Sequence, residues 1–221
     1  MKILAGTILS IIFSFTLSAQ NISLSSKNLV PNKVFISETK LAGTDVLKVA
    51  IDTNIKTFDE PSFAKLKDIS FHDGTIEANV LSKFLPNAPD WARGFIGVAF
   101  RINDDNSKFE CFYIRPSNGR VEDQVQRNHS TQYFSYPDHK FSDFRKTDPE
   151  KYEAYADMGM NEWIKMKIVV NGDHAKLFIN DAKQPCLIVN DLKYGSDLSG
   201  SIALWVGNWT EGYFSDLKIT K

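Results

Sequence analysis

Short apolar runs with a period of two recur along the chain between clusters of turn-forming residues. The clearest occupy residues 46–51, 75–81, 94–102, 109–115, 163–170, 175–179, 201–206 and 213–219, and each predicts a strand. Within 94–102, Ile96, Val98, Phe100 and Ile102 fall on one face, and Phe95, Gly97, Ala99 and Arg101 on the other. The first set reads as core. The second reads as a sheet face left open, with small residues leaving room. Asn171-Gly172 lies between two such runs and predicts a two-residue hairpin, because both residues tolerate positive φ. Asn180-Asp181 and Asp73-Gly74 predict further turns. Helical promise is confined to 148–158, where Pro149 suits a first turn. That segment lies inside a connection from 137 to 161, a length typical of binding or lid loops. With no fixed-period repeat and no Pro/Gly/Ser-rich linker, the expected fold is all-β. It is one two-sheet antiparallel β-sandwich over residues 20–221.

The first nineteen residues stand apart. Lys2 precedes an almost wholly apolar stretch that ends in Leu17-Ser18-Ala19. The stretch has the length of a signal-peptide core and is too short to span a bilayer comfortably. It predicts export, with cleavage before Gln20, to the periplasm or the cell exterior. No later run reaches a transmembrane length, so no membrane insertion is expected after leader removal.

Of the 221 residues, 43% are hydrophobic and 24% charged, which excludes a disordered tail or a polytopic membrane protein. A net charge of −1 gives no electrostatic footprint for nucleic acid or an anionic bilayer. Cys111 and Cys186 are the only cysteines. They could pair in an exported protein, but Cys111 sits in an alternating run and reads as a buried free thiol.

Arginine is segregated. All six (Arg93, Arg101, Arg115, Arg120, Arg127 and Arg145) lie between 93 and 145, with only Lys108 and Lys140 among the lysines. The planar, five-donor guanidinium suits carboxylates, polar rings and vicinal hydroxyls better than an ammonium does. The same window carries Asn118, Gln124, Gln126, Asn128, His129 and Gln132, with Trp91, Tyr113, Tyr133 and Tyr136 in or beside it. Sugar recognition needs such a set: directional donors and acceptors for hydroxyls, aromatic faces for ring C–H groups. The expectation is that folding gathers the six guanidinium groups into one hollow that binds carbohydrate. Its substrate-binding candidates are Arg101, Tyr113, Arg115, Arg120, Gln124, Arg127, Asn128 and Tyr133. The competing reading is a solvated loop with ion pairs such as Arg120 to Glu122 or Asp123.

Catalytic signals are weaker. Glycoside cleavage needs two carboxylates roughly 5–10 Å apart, and the chain has no alternating acidic strand to supply them. His129, with Glu110 or Asp123, is the acid/base pair to test if the protein is an enzyme. Asp148, Glu150 and Glu153 read as decoration of a solvated face. There is no nucleophile elbow, and His72, His139 and His174 lack metal spacing. No cofactor is required on this reading. A structural calcium at Asp216 would need the Asp73-Gly74 turn to meet it through paired terminal strands.

The segments FHDGTIEANV (71–80), GFIGVAFR (94–101) and FECFYIRPSNGR (109–120) resemble the concanavalin A-like lectin/glucanase superfamily. So does the closing stretch IALWVGNWTEGYFSDLKI (202–219). More narrowly, the chain resembles laminin G-like jelly rolls and the 3-keto-disaccharide hydrolase family. The resemblance implies a curved jelly roll whose concave face and rim loops bind carbohydrate, with hydrolysis of 3-keto glycosides as one activity of the family. No catalytic motif maps residue by residue, and the same fold also serves as a non-catalytic binding or adhesion module.

Overall fold

The computed structural model describes residues 19–221. The predicted leader lies outside the described residues except for Ala19. Fifteen strands build two antiparallel sheets. The eight-stranded sheet holds β1 (Ala19–Asn21), β3 (Val34–Leu41), β4 (Thr44–Ile51), β6 (Gly74–Phe84), β11 (Ile164–Asn171), β12 (His174–Ile179), β13 (Leu187–Val189) and β15 (Thr210–Thr220). Its order is β13-β12-β11-β6-β15-β4-β3, with β1 added on β15. The seven-stranded sheet holds β2 (Leu29–Asn32), β5 (Phe63–Leu66), β7 (Ile96–Ile102), β8 (Phe109–Ile114), β9 (Thr131–Tyr136), β10 (Glu153–Ala154) and β14 (Ser201–Val206). Its order is β10-β9-β8-β7-β14-β5-β2. Among the described residues no helix is long and apolar enough to cross a membrane.

The period-two pattern sorts side chains as expected. In β11, Ile164, Met166, Ile168 and Val170 are buried and the residues between them are not. In β7, by contrast, all seven residues are buried, so both faces of this strand are covered. The side read as open is filled by its neighbours. Gly97 pairs with Tyr113 on β8 and with Trp205 on β14, and those two rings meet with centroids 4.9 Å apart. A Cβ on Gly97 would fall 2.7 Å from the Tyr113 Cβ. The small residue makes room for aromatic side chains of the sheet itself, not for a ligand.

Above this aromatic layer lie residues 52–62 and a helix, α2 (Phe141–Thr147). The Trp205 indole donates to the Glu60 carbonyl (2.8 Å), and the Lys140 ammonium reaches the Glu60 carboxylate (2.7 Å). The helix expected over 148–158 is displaced toward the N-terminus. Asp148 closes α2 with φ −141° and ψ 60°, outside the helical region that a following proline disfavours. Pro149 therefore ends a helix instead of opening one.

Turn positions shift in the same way. Asn171 pairs with His174, so the hairpin's central residues are Gly172 and Asp173, one place later than predicted. Of these two only Gly172 has positive φ, 59°. Asn180 and Asp181 both adopt positive φ, as expected of their turn. Cys111 is a buried free thiol, and Cys186 is also free.

Candidate functional site

The connection from β8 to β9 builds one wall of a groove on the outer face of the seven-stranded sheet. After β8 the chain passes Arg115 into a short turn and then α1 (Gln124–Asn128), a single helical turn. Asp123 caps it, its Oδ1 accepting the Gln126 N–H at 3.0 Å. His129 closes it and leads into β9. This wall contributes Arg115, Asn118, Asp123, Val125, Gln126 and His129; Trp91, Arg93 and Phe95 come from the loop before β7. Phe58 and, from α2, Phe141 and Arg145 complete a cavity of about 480 Å³.

Aromatic rings form one side of this space. Phe58 meets Trp91, Phe141 and Phe95 edge-on, at centroid distances of 5.3, 5.7 and 6.2 Å. Trp91 is 44% exposed and Phe58 37%, large apolar surfaces left to solvent within a polar rim.

Arg115 organises the other side. It is almost fully buried, and its guanidinium donates to the His129 carbonyl (2.7 Å), Glu153 (3.1 Å), the Tyr113 hydroxyl (2.8 Å) and Gln132 Oε1 (2.9 Å). Glu153 in turn accepts from Arg145 (3.3 Å). His129 Nδ1 lies 2.9 Å from its second oxygen, off the line of a ring N–H. The carboxylate read as surface decoration is thus buried and enclosed by two guanidinium groups. Charge-assisted hydrogen bonds of this kind are shorter and stronger than neutral ones and hold the lining rigid.

Beneath the groove lies Asp59, which carried no sequence signal. It is buried, adopts φ 51°, and accepts the Phe141 N–H at 2.8 Å, joining residues 52–62 to α2. Burial pushes its carboxyl up to about 6, against the pull of the Phe141 N–H and the charges of Arg115 and Lys140. The folded protein therefore holds this proton more tightly than the unfolded chain does. Ionisation of Asp59 opposes folding: its stabilising contribution is present below pH about 4 and is lost as pH rises to about 6. A rise from 3.8 to about 6 corresponds to about 3 kcal/mol. Asp59→Asn keeps an acceptor for Phe141 without the charge. It is expected to unfold at higher urea than the parent at pH 7, by about 1–3 kcal/mol, with the gain vanishing near pH 4. Equal or lower stability at pH 7 would contradict this account.

The structure brings together only part of the predicted set. Arg115, His129 and Asp123 line the groove, with Tyr113 buried beneath Arg115. Arg101 does not; it is fully buried near the opposite end of β7, bound to the carbonyls of His72, Gly172 and Gly195 and to Asp73. Arg120 is exposed and paired with Asp157 (2.8 Å) and Glu162 (3.0 Å), partners other than those expected. Arg127 stacks on Tyr155, and Gln124 donates to Asn128 within α1, outside the groove lining. Of the six guanidinium groups, Arg93, Arg115 and Arg145 share the hollow. The other three are dispersed because the window spans whole strands, whose ends lie far apart.

Glu110 and Tyr133 point into the sandwich interior. Glu110 accepts from the Tyr133 hydroxyl (2.6 Å) and the Tyr194 N–H (3.0 Å), and burial pushes its carboxyl above the usual range. Buried and so bonded, it is not a groove carboxylate. Asp216 accepts from Asn79 and Ser215, whereas Asp73 is held by Arg101 and the Gly172 N–H. The terminal strands do pair, yet these two carboxylates bind different partners. Among the described residues no group of three or more His, Cys, Asp or Glu side chains is placed to hold a metal.

No protein-family model and no curated protein matches the chain. Solved structures do. The carbohydrate-binding module CBM66 from Bacillus subtilis superposes with a TM-score of 0.54 at 14% identity, over 86% of this chain and 96% of that one. The chain folds as a jelly-roll β-sandwich. A protein of unknown function with a galectin-like fold, also from Bacillus subtilis, is similar with a TM-score of 0.50 at 11% identity, over 87% and 89% of the two chains. At such identities the likeness establishes the fold alone, a two-sheet β-sandwich.

Proposed function

We propose that the groove on the outer face of the seven-stranded sheet binds carbohydrate. One observation carries the reading: exposed aromatic surface at Trp91 and Phe58 lines the same 480 Å³ cavity as the polar groups of Arg93, Arg145, Asn118 and Gln126. A pyranose presents an apolar C–H face and an equatorial ring of hydroxyls, and this lining offers a counterpart to each. The likeness to a carbohydrate-binding module supports the reading at the level of fold.

The activity proposed is recognition without cleavage. Hydrolysis of ordinary or 3-keto glycosides would draw on two carboxylates facing the ligand. Among the described residues the groove lining contains one, Asp123, already engaged as the cap of α1. Incubation with ordinary and 3-keto disaccharides is expected to leave their masses unchanged; product formation would contradict this part of the reading. With residues 1–19 taken as an export leader, the groove meets glycans outside the cytoplasm, and the N-terminal mass of the secreted protein tests that.

Binding is tested on a panel of neutral and acidic oligosaccharides. Trp91→Ala is expected to weaken the best binder about tenfold or more, with only a modest drop in Tm because the residue is 44% exposed. No binding to any glycan, or undiminished binding by Trp91→Ala, would overturn the proposal.

A further inference from the structure

We propose that this groove selects glycans carrying an anionic group on the sugar, a uronate carboxylate or a sulfate ester, and that Arg93 receives it. The inference rests on the carbohydrate reading above and specifies its ligand. The arginines differ in what already satisfies them. Arg101, Arg115, Arg120 and Arg145 each pair with a carboxylate, and Arg127 stacks on Tyr155. Arg93 donates through Nη1 only to the carbonyls of Asp90 (2.5 Å) and Ala92 (2.8 Å). Among the described residues no carboxylate lies within ion-pairing distance of it. Two backbone oxygens thus fix the guanidinium at the groove, two residues beyond Trp91, while its charge stays unanswered.

The remaining charges define what a ligand meets. Arg145 gives one N–H to Glu153 and keeps 47% of its side chain exposed in the lining. Glu153 and Asp59 lie buried below, facing Arg115, Arg145 and Lys140. Asp123 is the lining carboxylate on the exposed side. Two accessible guanidinium groups therefore stand against one accessible carboxylate. A planar fork with open donors favours a planar or tetrahedral oxyanion over a neutral hydroxyl.

The test is calorimetric titration of the protein with four probes: oligogalacturonate, its methyl ester, a heparin-derived oligosaccharide and a neutral cello-oligosaccharide. At least one anionic probe is expected to bind about ten- to a hundredfold more tightly than the uncharged ones, the advantage shrinking in 1 M salt. The two anionic arms distinguish carboxylate from sulfate, and a preference for either supports the proposal. Arg93→Ala should abolish the preference, weakening the favoured anionic probe about tenfold or more beyond any loss it causes for the uncharged probes. Arg93→Lys, which keeps the charge without the fork, should retain part of it, and Arg120→Ala, outside the groove, all of it. Affinity for both anionic probes no greater than for the uncharged ones, or a preference that survives Arg93→Ala, would overturn the inference and leave the carbohydrate reading standing. Absence of binding to every probe would overturn both.

Discussion

Arg115→Ala is expected to lower the unfolding free energy by about 3–5 kcal/mol, the scale of breaking a buried ion pair from one side. The guanidinium serves four acceptors on three segments: Tyr113, the His129 carbonyl, Gln132 and Glu153. Removing it strands Glu153, whose side chain is only 4% exposed, with Arg145 as its remaining guanidinium partner. The loss should come mainly from that stranded charge, not from lost volume. Arg115→Met, which replaces much of the volume, should therefore be nearly as damaging, and adding Glu153→Gln should recover part of the loss. Urea denaturation of the two single variants and the double variant reads this directly. A cost below about 1 kcal/mol for Arg115→Ala would contradict the network described here.

Arg101→Ala should be comparably destabilising, by about 3–5 kcal/mol, but for another reason and with another consequence. Its side chain is fully buried and ties together the loop before β6, the β11–β12 turn and the connection at Gly195. Removing it leaves three backbone carbonyls without this donor. From Phe95 to Arg101 the strand rises roughly 20 Å, so the groove should be untouched. Glycan affinity measured below the variant's lowered Tm is expected to equal that of the parent. A selective loss of affinity without loss of stability would place Arg101 in recognition, as its position in the arginine-rich window first implied.

The sandwich was legible because several of its longer strands bury one face and leave the other at least partly open. β4, β11 and β12 follow that rule, β6 and β15 follow it over part of their length, and β7, β8 and β14 announced themselves by their large apolar residues. β9 did not. Its Thr131, Gln132 and Ser135 are buried because neighbouring chain satisfies them, Gln132 donating to the carbonyls of Tyr133 and Tyr152. A polar residue hidden by its partners leaves no mark on the hydrophobic pattern. For the same reason the pattern predicts no strand between 116 and 136, a stretch that holds α1 and β9.

The groove was half legible. Segregation of arginine pointed to a stretch of chain that supplies one wall of the groove, and Arg115, His129 and Asp123 do meet there. What it could not convey was direction: β7 separates Phe95, just before its first residue, from Arg101 near its other end, and the pleat turns Glu110 and Tyr133 into the interior. Phe58 and Asp59 come from an aperiodic polar segment, and Phe141 from the long connection. Only the packing of residues 52–62 and α2 over the sheet makes them part of one site.

The claim on which the account stands is that ligand occupies the space between Trp91 and the Arg115 wall. Backbone amide NMR of the full panel titration locates the contact without assuming it. Shifts are predicted at Trp91, Arg93, Val125, Gln126, Phe141 and Arg145, and not along β3, β4 or β12 of the opposite sheet. Saturable shifts confined to the eight-stranded sheet, or no shifts with any oligosaccharide, would contradict it.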